Sequence, residues 1–182
     1  MKFTELGLAG VWLIEPELFR DERGAFRRTY CSAEFAAHGL AADAVQGNVS
    51  ENPHEGTLRG FHFQAAPFGE AKTLTCFTGS LFDIVLDLRP ESQTFRQWIS
   101  VEVSSSDRRM LHVPAGCANA WLTTAPDTLV HYYMSAAYRS DADRGLRYND
   151  PAFGFRWPRE PIIISRRDAN FPNFDPSSLI SD

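Results

Sequence analysis

Along most of this chain apolar and polar residues alternate with a period of two, interrupted every eight to fourteen residues by Gly, Pro, Asp or Asn. That pattern predicts short, half-buried β-strands joined by turns. The first is expected at Val11–Glu15, closed by Pro16. A second follows at Ala25–Tyr30, after the turn Asp21-Glu22-Arg23-Gly24. Others are expected at Ala44–Val49, Thr57–Gln64, Lys72–Phe77, Leu81–Leu88, Gln97–Val103, Met110–Val113, Ala118–Thr123 and Thr128–Ser135. Helical periodicity is confined to one segment, where Ser32 is expected as the cap, Phe35, Ala36 and Ala37 fill the helix, and Gly39 ends it. Leu81–Leu88 is nearly apolar on both faces, as a central strand covered on both sides would be. Gly79-Ser80 reads as a hairpin turn, and Pro114-Ala115-Gly116 as a turn before a strand. The last forty residues are richer in Pro and Arg and read as loops and short turns wrapping the strands. About ten such strands point to an all-β sandwich or barrel.

Composition narrows the class. With 182 residues, 43% hydrophobic and 23% charged, the chain fits one globular domain over residues 1–182 and excludes a disordered, coiled-coil or collagen-like polymer. Lys and Arg number 18 against 23 Asp and Glu, so the net charge of −5 lacks the basic footprint of a nucleic-acid binder. No apolar run approaches the roughly 20 residues that span a bilayer, and Met1–Glu5 lacks the pattern of a signal peptide. No membrane partner and a cytoplasmic location are therefore expected. Cys31, Cys76 and Cys117 are odd in number with no C-x-x-C pair, so they are expected to be reduced and mostly buried.

Chemistry concentrates in four places. In Gly56–Gln64, His62 sits within an aromatic strand beside Arg59, with Lys72 not far on. A barrel interior does not collect cations without an anionic ligand. Strict alternation puts Leu58, Gly60, His62 and Gln64 on one face and Arg59, Phe61 and Phe63 on the other. Arg59 and His62 share a pocket only if the strand bulges near Gly60, a usual place for it. The second cluster is Pro114–Trp121, which contains Asn119. The third is Val130–Met134, where Tyr132 shares a face with Val130 and Met134 while His131 and Tyr133 take the other, with Tyr138 beyond. The fourth is Ser165-Arg166-Arg167-Asp168, whose Asp reads in isolation as solvated surface.

Taken in order, Asp21–Gly24, Gln46–Asn48, Leu58-Arg59-Gly60-Phe61-His62-Phe63-Gln64, Phe82–Arg89, Pro114–Gly116, Tyr132 with Tyr138, Asn149-Asp150-Pro151 and Ser165–Asp168 resemble one family. It is the dTDP-4-dehydrorhamnose 3,5-epimerase family of RmlC type, a cupin-like β-jelly roll, here with a short N-terminal helix. The resemblance implies a cofactor-free 3,5- or 3-epimerase of a dTDP- or CDP-linked 4-keto-6-deoxyhexose. A proton leaves a carbon next to the ketone and another returns from the opposite face. It implies His62 as base, Asp168 as its orienting partner, Lys72 as the stabiliser of the enolate oxygen and Tyr132 as acid. Substrate binding is carried over to Arg23, Phe26, Arg28, Gln46, Asn48, Arg59, Asn119 and Tyr138, with Arg23 and Arg28 reaching a neighbour's site in a homodimer. The chemistry of these groups agrees with their roles: an imidazole of pKa about 6.5 is a good base near neutrality, and a cation beside a ketone lowers the cost of an oxyanion. Two positions depart from the family: Arg28 replaces a Glu among the nucleotide ligands, and Asn119 replaces a His. A guanidinium suits the acceptors of cytosine better than the N–H of thymine. A metal-dependent cupin would need a second His where Gln64 stands and another where Asn119 stands, so no metal is expected. A catalytically inactive nucleotide-sugar binder and a 3,4-keto-isomerase of the same fold are the alternatives.

Overall fold

In the computed structural model, residues 1–180 are described. The strands are β1 (Lys2–Glu5), β2 (Trp12–Glu15), β3 (Leu18–Asp21), β4 (Gly24–Arg27), β5 (Gln46–Asn52), β6 (Thr57–Gln64) and β7 (Lys72–Thr78). They continue as β8 (Ser80–Asp87), β9 (Trp98–Ser104), β10 (Met110–Val113), β11 (Cys117–Thr123), β12 (Thr128–Met134), β13 (Asp143–Gly145) and β14 (Ile163–Ile164). Two short α-helices, α1 (Ser32–Ala37) and α2 (Arg166–Ala169), and a 3-10 turn at Pro176–Leu179 complete the regular structure. One sheet runs β1-β2-β10-β7-β12-β5, and the other runs β13-β6-β11-β8-β9 with β14 beside β6. β3 and β4 form a separate two-stranded ribbon. The two sheets, antiparallel except where β14 joins β6, make a cupin-like jelly roll, as the resemblance implies.

Alternation sorts each strand between two apolar layers. Inward positions Leu74, Cys76, Leu81, Val85, Leu111, Trp121 and Val130 pack between the sheets with Leu8 and Val11. The opposite faces of β6, β8 and β11 carry Phe61, Phe63, Ile84, Leu86, Ala118 and Ala120. The C-terminal segment covers that layer with Phe153, Phe155, Trp157, Phe174 and Leu179. β8 is therefore buried on both faces, as its sequence predicts. Burial of each such Leu or Ile contributes about 1.5–3 kcal/mol. Phe35 of α1 packs with Ile14, Leu40 and Met110 on the outer side of the first sheet.

Several expectations are corrected. Gly79-Ser80 does not close a hairpin: β7 and β8 lie in different sheets, and the turn carries the chain from one to the other. Gly79 has φ +68°, and a Cβ there would run into Thr128. Pro114–Gly116 likewise links β10 to β11 across the sandwich. Cys31, not Ser32, caps α1, and no side chain bonds to its first turn. The strand expected at Ala25–Tyr30 is Gly24–Arg27, and that expected at Ala44–Val49 is Gln46–Asn52. No strand is expected from the sequence at β1, β3, β13 or β14; β13 and β14, at three and two residues, are too short for two-residue periodicity to stand out. Cys76 and Cys117 are buried, Cys31 is partly exposed, and all three are free thiols. No described helix is long and apolar enough to cross a membrane.

Candidate active site

The second sheet places His62. Opposite β6, Asn119 pairs with His62 and Trp121 with Arg59, so two steps on β11 face three on β6. The extra residue is a bulge, and it returns Arg59 to the face of His62. Gly60 permits it: φ is +111°, and a Cβ would stand 2.6 Å from the Asn119 carbonyl oxygen and 2.7 Å from the Ala120 Cβ. One glycine thus brings both side chains to one face of β6, although Arg59 is not among the residues that line the cavity with His62.

Asp168 lies in α2, where Ser165 caps its N–H at 3.0 Å. The cap turns the carboxylate onto β6. Oδ2 accepts from the Gly60 N–H at 3.1 Å, and Oδ1 bonds to His62 Nε2 at 2.9 Å. Asp168 is 3% exposed, so the expectation of a solvated Asp from its local sequence is wrong. Burial alone would raise its pKa. The hydrogen bond and charge of His62, with the bonds from Gly60 and Ser165, outweigh burial and leave the carboxyl below its ordinary value. A carboxylate only accepts, so Nε2 carries a proton, and the neutral form of the ring has its lone pair on Nδ1.

Lys72 begins β7 in the facing sheet. Its ammonium is 3.0 Å from Glu70 Oε1, 3.1 Å from the His62 carbonyl oxygen and 3.4 Å from Asn119 Oδ1. Tyr132, on β12, is flanked by Asn48 of β5 and Leu74 of β7. Its ring meets Trp121 edge-on at 6.0 Å. Burial raises the phenol's pKa; the Arg59 charge lowers it and Glu70 raises it further, for a net rise.

His62, Lys72 and Tyr132 line one cavity of about 270 Å³, together with Gln46, Asn48, Gln64 and Tyr138. His62 and Tyr132 enter it from different sheets. Gln46 bonds to Asn48 at 3.0 Å and accepts the Tyr138 backbone N–H at 3.0 Å, which ties β5 to the loop after β12. Gln64 spends its amide N–H groups on the carbonyls of Phe68 and Ala137. Among the described residues no three His, Cys, Asp or Glu side chains converge as a metal site.

The other expected site residues are placed differently. Asn119 is 2% exposed and stands behind Lys72 rather than on the cavity wall. Arg59 is held by Asn52 Oδ1 at 2.7 Å. Arg23, Phe26 and Arg28 do not reach this chain's cavity. Arg23 pairs with Asp21 at 2.5 Å, Phe26 is 70% exposed on the β3–β4 ribbon, and Arg28 pairs with Glu34 at 2.9 Å. Sequence reasoning gave no site role to Asp83, Asp143 or Arg167, and weighed Glu70 only as a metal ligand. Asp143 bridges Tyr138 Oη at 2.8 Å and Arg167 at 2.5 Å on the cavity rim. Asp83 had a visible signal, one of two carboxyls (with Asp87) within the otherwise apolar run Leu81–Leu88.

Removing and returning a proton at a carbon beside a carbonyl requires donors and acceptors on both sides of one ring, and two facing sheets supply them from opposite walls. Fold and cavity define a cupin-like jelly-roll isomerase. The chain belongs to the dTDP-4-dehydrorhamnose 3,5-epimerase family, whose model matches residues 5–176. A dTDP-4-dehydrorhamnose 3,5-epimerase of Sinorhizobium fredii is 38% identical over 174 residues, which span 95% of this chain and 89% of the relative. The crystal structure of the Bacillus anthracis dTDP-4-dehydrorhamnose 3,5-epimerase, with TDP and PPi bound, is similar at a TM-score of 0.91 and 35% identity. It covers 95% of this chain and 99% of its own. ChmJ, a 3′-monoepimerase from Streptomyces bikiniensis solved with dTDP-quinovose, is similar at a TM-score of 0.85 and 31% identity, covering 92% and 85%.

Proposed function

We propose that this protein epimerises a nucleoside-diphosphate 4-keto-6-deoxyhexose at carbon 3, carbon 5 or both, with His62 as base and Tyr132 as acid. The observation that carries this reading is the entry of those two rings into one cavity from opposite sheets, with the Lys72 ammonium beside it. His62 Nδ1 takes the proton next to the ketone, and Asp168 holds the ring and stabilises the imidazolium. Lys72 meets the charge that develops on the ketone oxygen. Tyr132, kept protonated by burial, returns a proton to the other face. An inactive binder has no need of this base–acid pair.

Gln46, Asn48 and Tyr138, which line the cavity, would contact the nucleotide together with Arg59. Arg23, Phe26 and Arg28 serve the site of a second copy in a homodimer, which gives the projecting β3–β4 ribbon and its exposed Phe19 and Phe26 a surface to cover. dTDP is the first nucleotide to test, since related structures hold TDP or a dTDP-sugar. CDP is the second, because Arg28 suits cytosine. A nucleotide-sugar substrate and three free thiols fit a cytoplasmic enzyme.

The test is incubation with dTDP- and CDP-4-keto-6-deoxyglucose in heavy water, with label read at each carbon. The wild-type protein incorporates deuterium at carbon 3, carbon 5 or both, and His62→Ala incorporates none while still binding the nucleotide. Binding without exchange by the wild type refutes the enzymatic reading.

A further inference from the structure

Asp83 is a fully buried carboxyl with no part in that scheme. Its Oδ2 accepts from Asn119 Nδ2 at 3.0 Å, while Oδ1 has no partner. Burial pushes Asp83 well above the ordinary carboxylate range, against the opposing pull of the Asn119 hydrogen bond and the Lys72 charge. A charged carboxylate with so few hydrogen bonds would be costly there, and the neutral acid is the state that fits.

An ammonium has three N–H donors. Lys72 donates to the His62 carbonyl and to Asn119 Oδ1, and it forms an ion pair with Glu70, whose Oε1 lies 3.0 Å away. A ketone oxygen that draws on the ammonium competes with these partners. The Glu70 ion pair is charged on both sides and is the shortest contact. The Asn119 bond is neutral on the acceptor side and, at 3.4 Å, the longest. Asn119 also has a choice of orientation. Turned over, it would aim its NH₂ at Lys72, donor against donor. Asp83 opposes this: with its acid proton on the unpartnered Oδ1, Oδ2 is a carbonyl oxygen that can only accept the NH₂ from behind.

We propose that Asp83 is a positioning residue. It fixes the Asn119 amide with its oxygen toward Lys72, so that Asn119 holds one ammonium proton in the free enzyme and yields it to the substrate's carbonyl oxygen. This rests on the reading of Lys72 as the group that meets the developing oxyanion. It assigns a task to the Asn that stands where the family carries His.

The experiment compares deuterium exchange into dTDP-4-keto-6-deoxyglucose, or its CDP counterpart if that is the one turned over, with nucleotide affinity measured in parallel. Asp83→Leu removes the acceptor but leaves no buried charge. Its kcat for exchange falls about tenfold to a hundredfold, as misplacement of a catalytic group does, with nucleotide affinity unchanged. Asp83→Asn keeps a neutral acceptor and stays within about threefold of wild type, the loss of one neutral hydrogen bond being the most it incurs. Asn119→Asp grips Lys72 with a charge and slows exchange without weakening nucleotide binding, which decides the matter even if Asp83→Leu does not fold. Wild-type rates in folded Asp83→Leu or Asn119→Asp overturn the inference alone, as does Asp83→Asn failing as badly as Asp83→Leu. No exchange by wild-type protein on either nucleotide sugar removes the functional reading and this inference with it.

Discussion

Replacing Gly60 by Ala tests the bulge on which the whole site is built. Gly60 has φ +111°, a region L side chains rarely adopt, which costs about 1–3 kcal/mol. The added methyl would also lie 2.6 Å from the Asn119 carbonyl oxygen and within 2.8 Å of Ala120 Cα, so β6 must move away from β11. Overpacking of that kind costs about another 1–3 kcal/mol. A total of about 4 kcal/mol corresponds to a fall in Tm of about 8–16 °C for a chain of this size. Gly39→Ala is the control: its φ is +70° but nothing lies within 4 Å, so it carries backbone strain alone. Calorimetry on the two variants separates strain from overlap. Activity suffers too, because the Gly60 N–H anchors Asp168, the partner of His62, and the bulge sets which face of β6 Arg59 takes. A displacement of about 1 Å there lowers exchange about a hundredfold. Should Gly60→Ala melt within about 2 °C of wild type and exchange at the same rate, the account of the bulge is wrong.

Two further outcomes follow from the same geometry. Tyr132→Phe removes the acid but leaves His62 and Lys72, so epimerised product falls by about a hundredfold or more while deuterium exchange at carbon 3 persists. Equal loss of both, measured by NMR, contradicts the assignment of opposite faces. His112 is 2% exposed, and burial lowers its pKa from 6.5 to about 4. The unfolded chain then binds more protons between pH 6.5 and about 4, so this stability is full above the window and lost as pH falls through it. The whole difference is about 3 kcal/mol. Urea midpoints for wild type and His112→Gln at pH 7.5 and 4.5 read it, and parallel falls in the two proteins would show that His112 is not the cause.

Local chemistry made much of this protein legible in its sequence. The two-residue alternation marks β7, β11 and β12 and puts Tyr132 and His131 on opposite faces, because side chains on a strand can only alternate, while the continuous apolar run marks β8 as a central strand. The order of motifs such as Leu58–Gln64 and Ser165–Asp168 identified the family and the jelly roll, since a string of that specificity over the whole chain leaves little choice of fold. What alternation leaves undetermined is which strands pair. Gly79-Ser80 and Pro114–Gly116 have turn chemistry whether they close a hairpin or cross between sheets, and only packing of the two apolar layers decides. Tertiary structure alone buries Asp168, since the cap at Ser165 is local but the Gly60 and His62 partners are over a hundred residues away. The same holds for Asp83, Asn119 and Lys72, which come from three strands and share one hydrogen-bond chain. A side chain's partners depend on its neighbours in space. One extra residue in the pairing of β6 with β11 was enough to carry Arg59 to the His62 side.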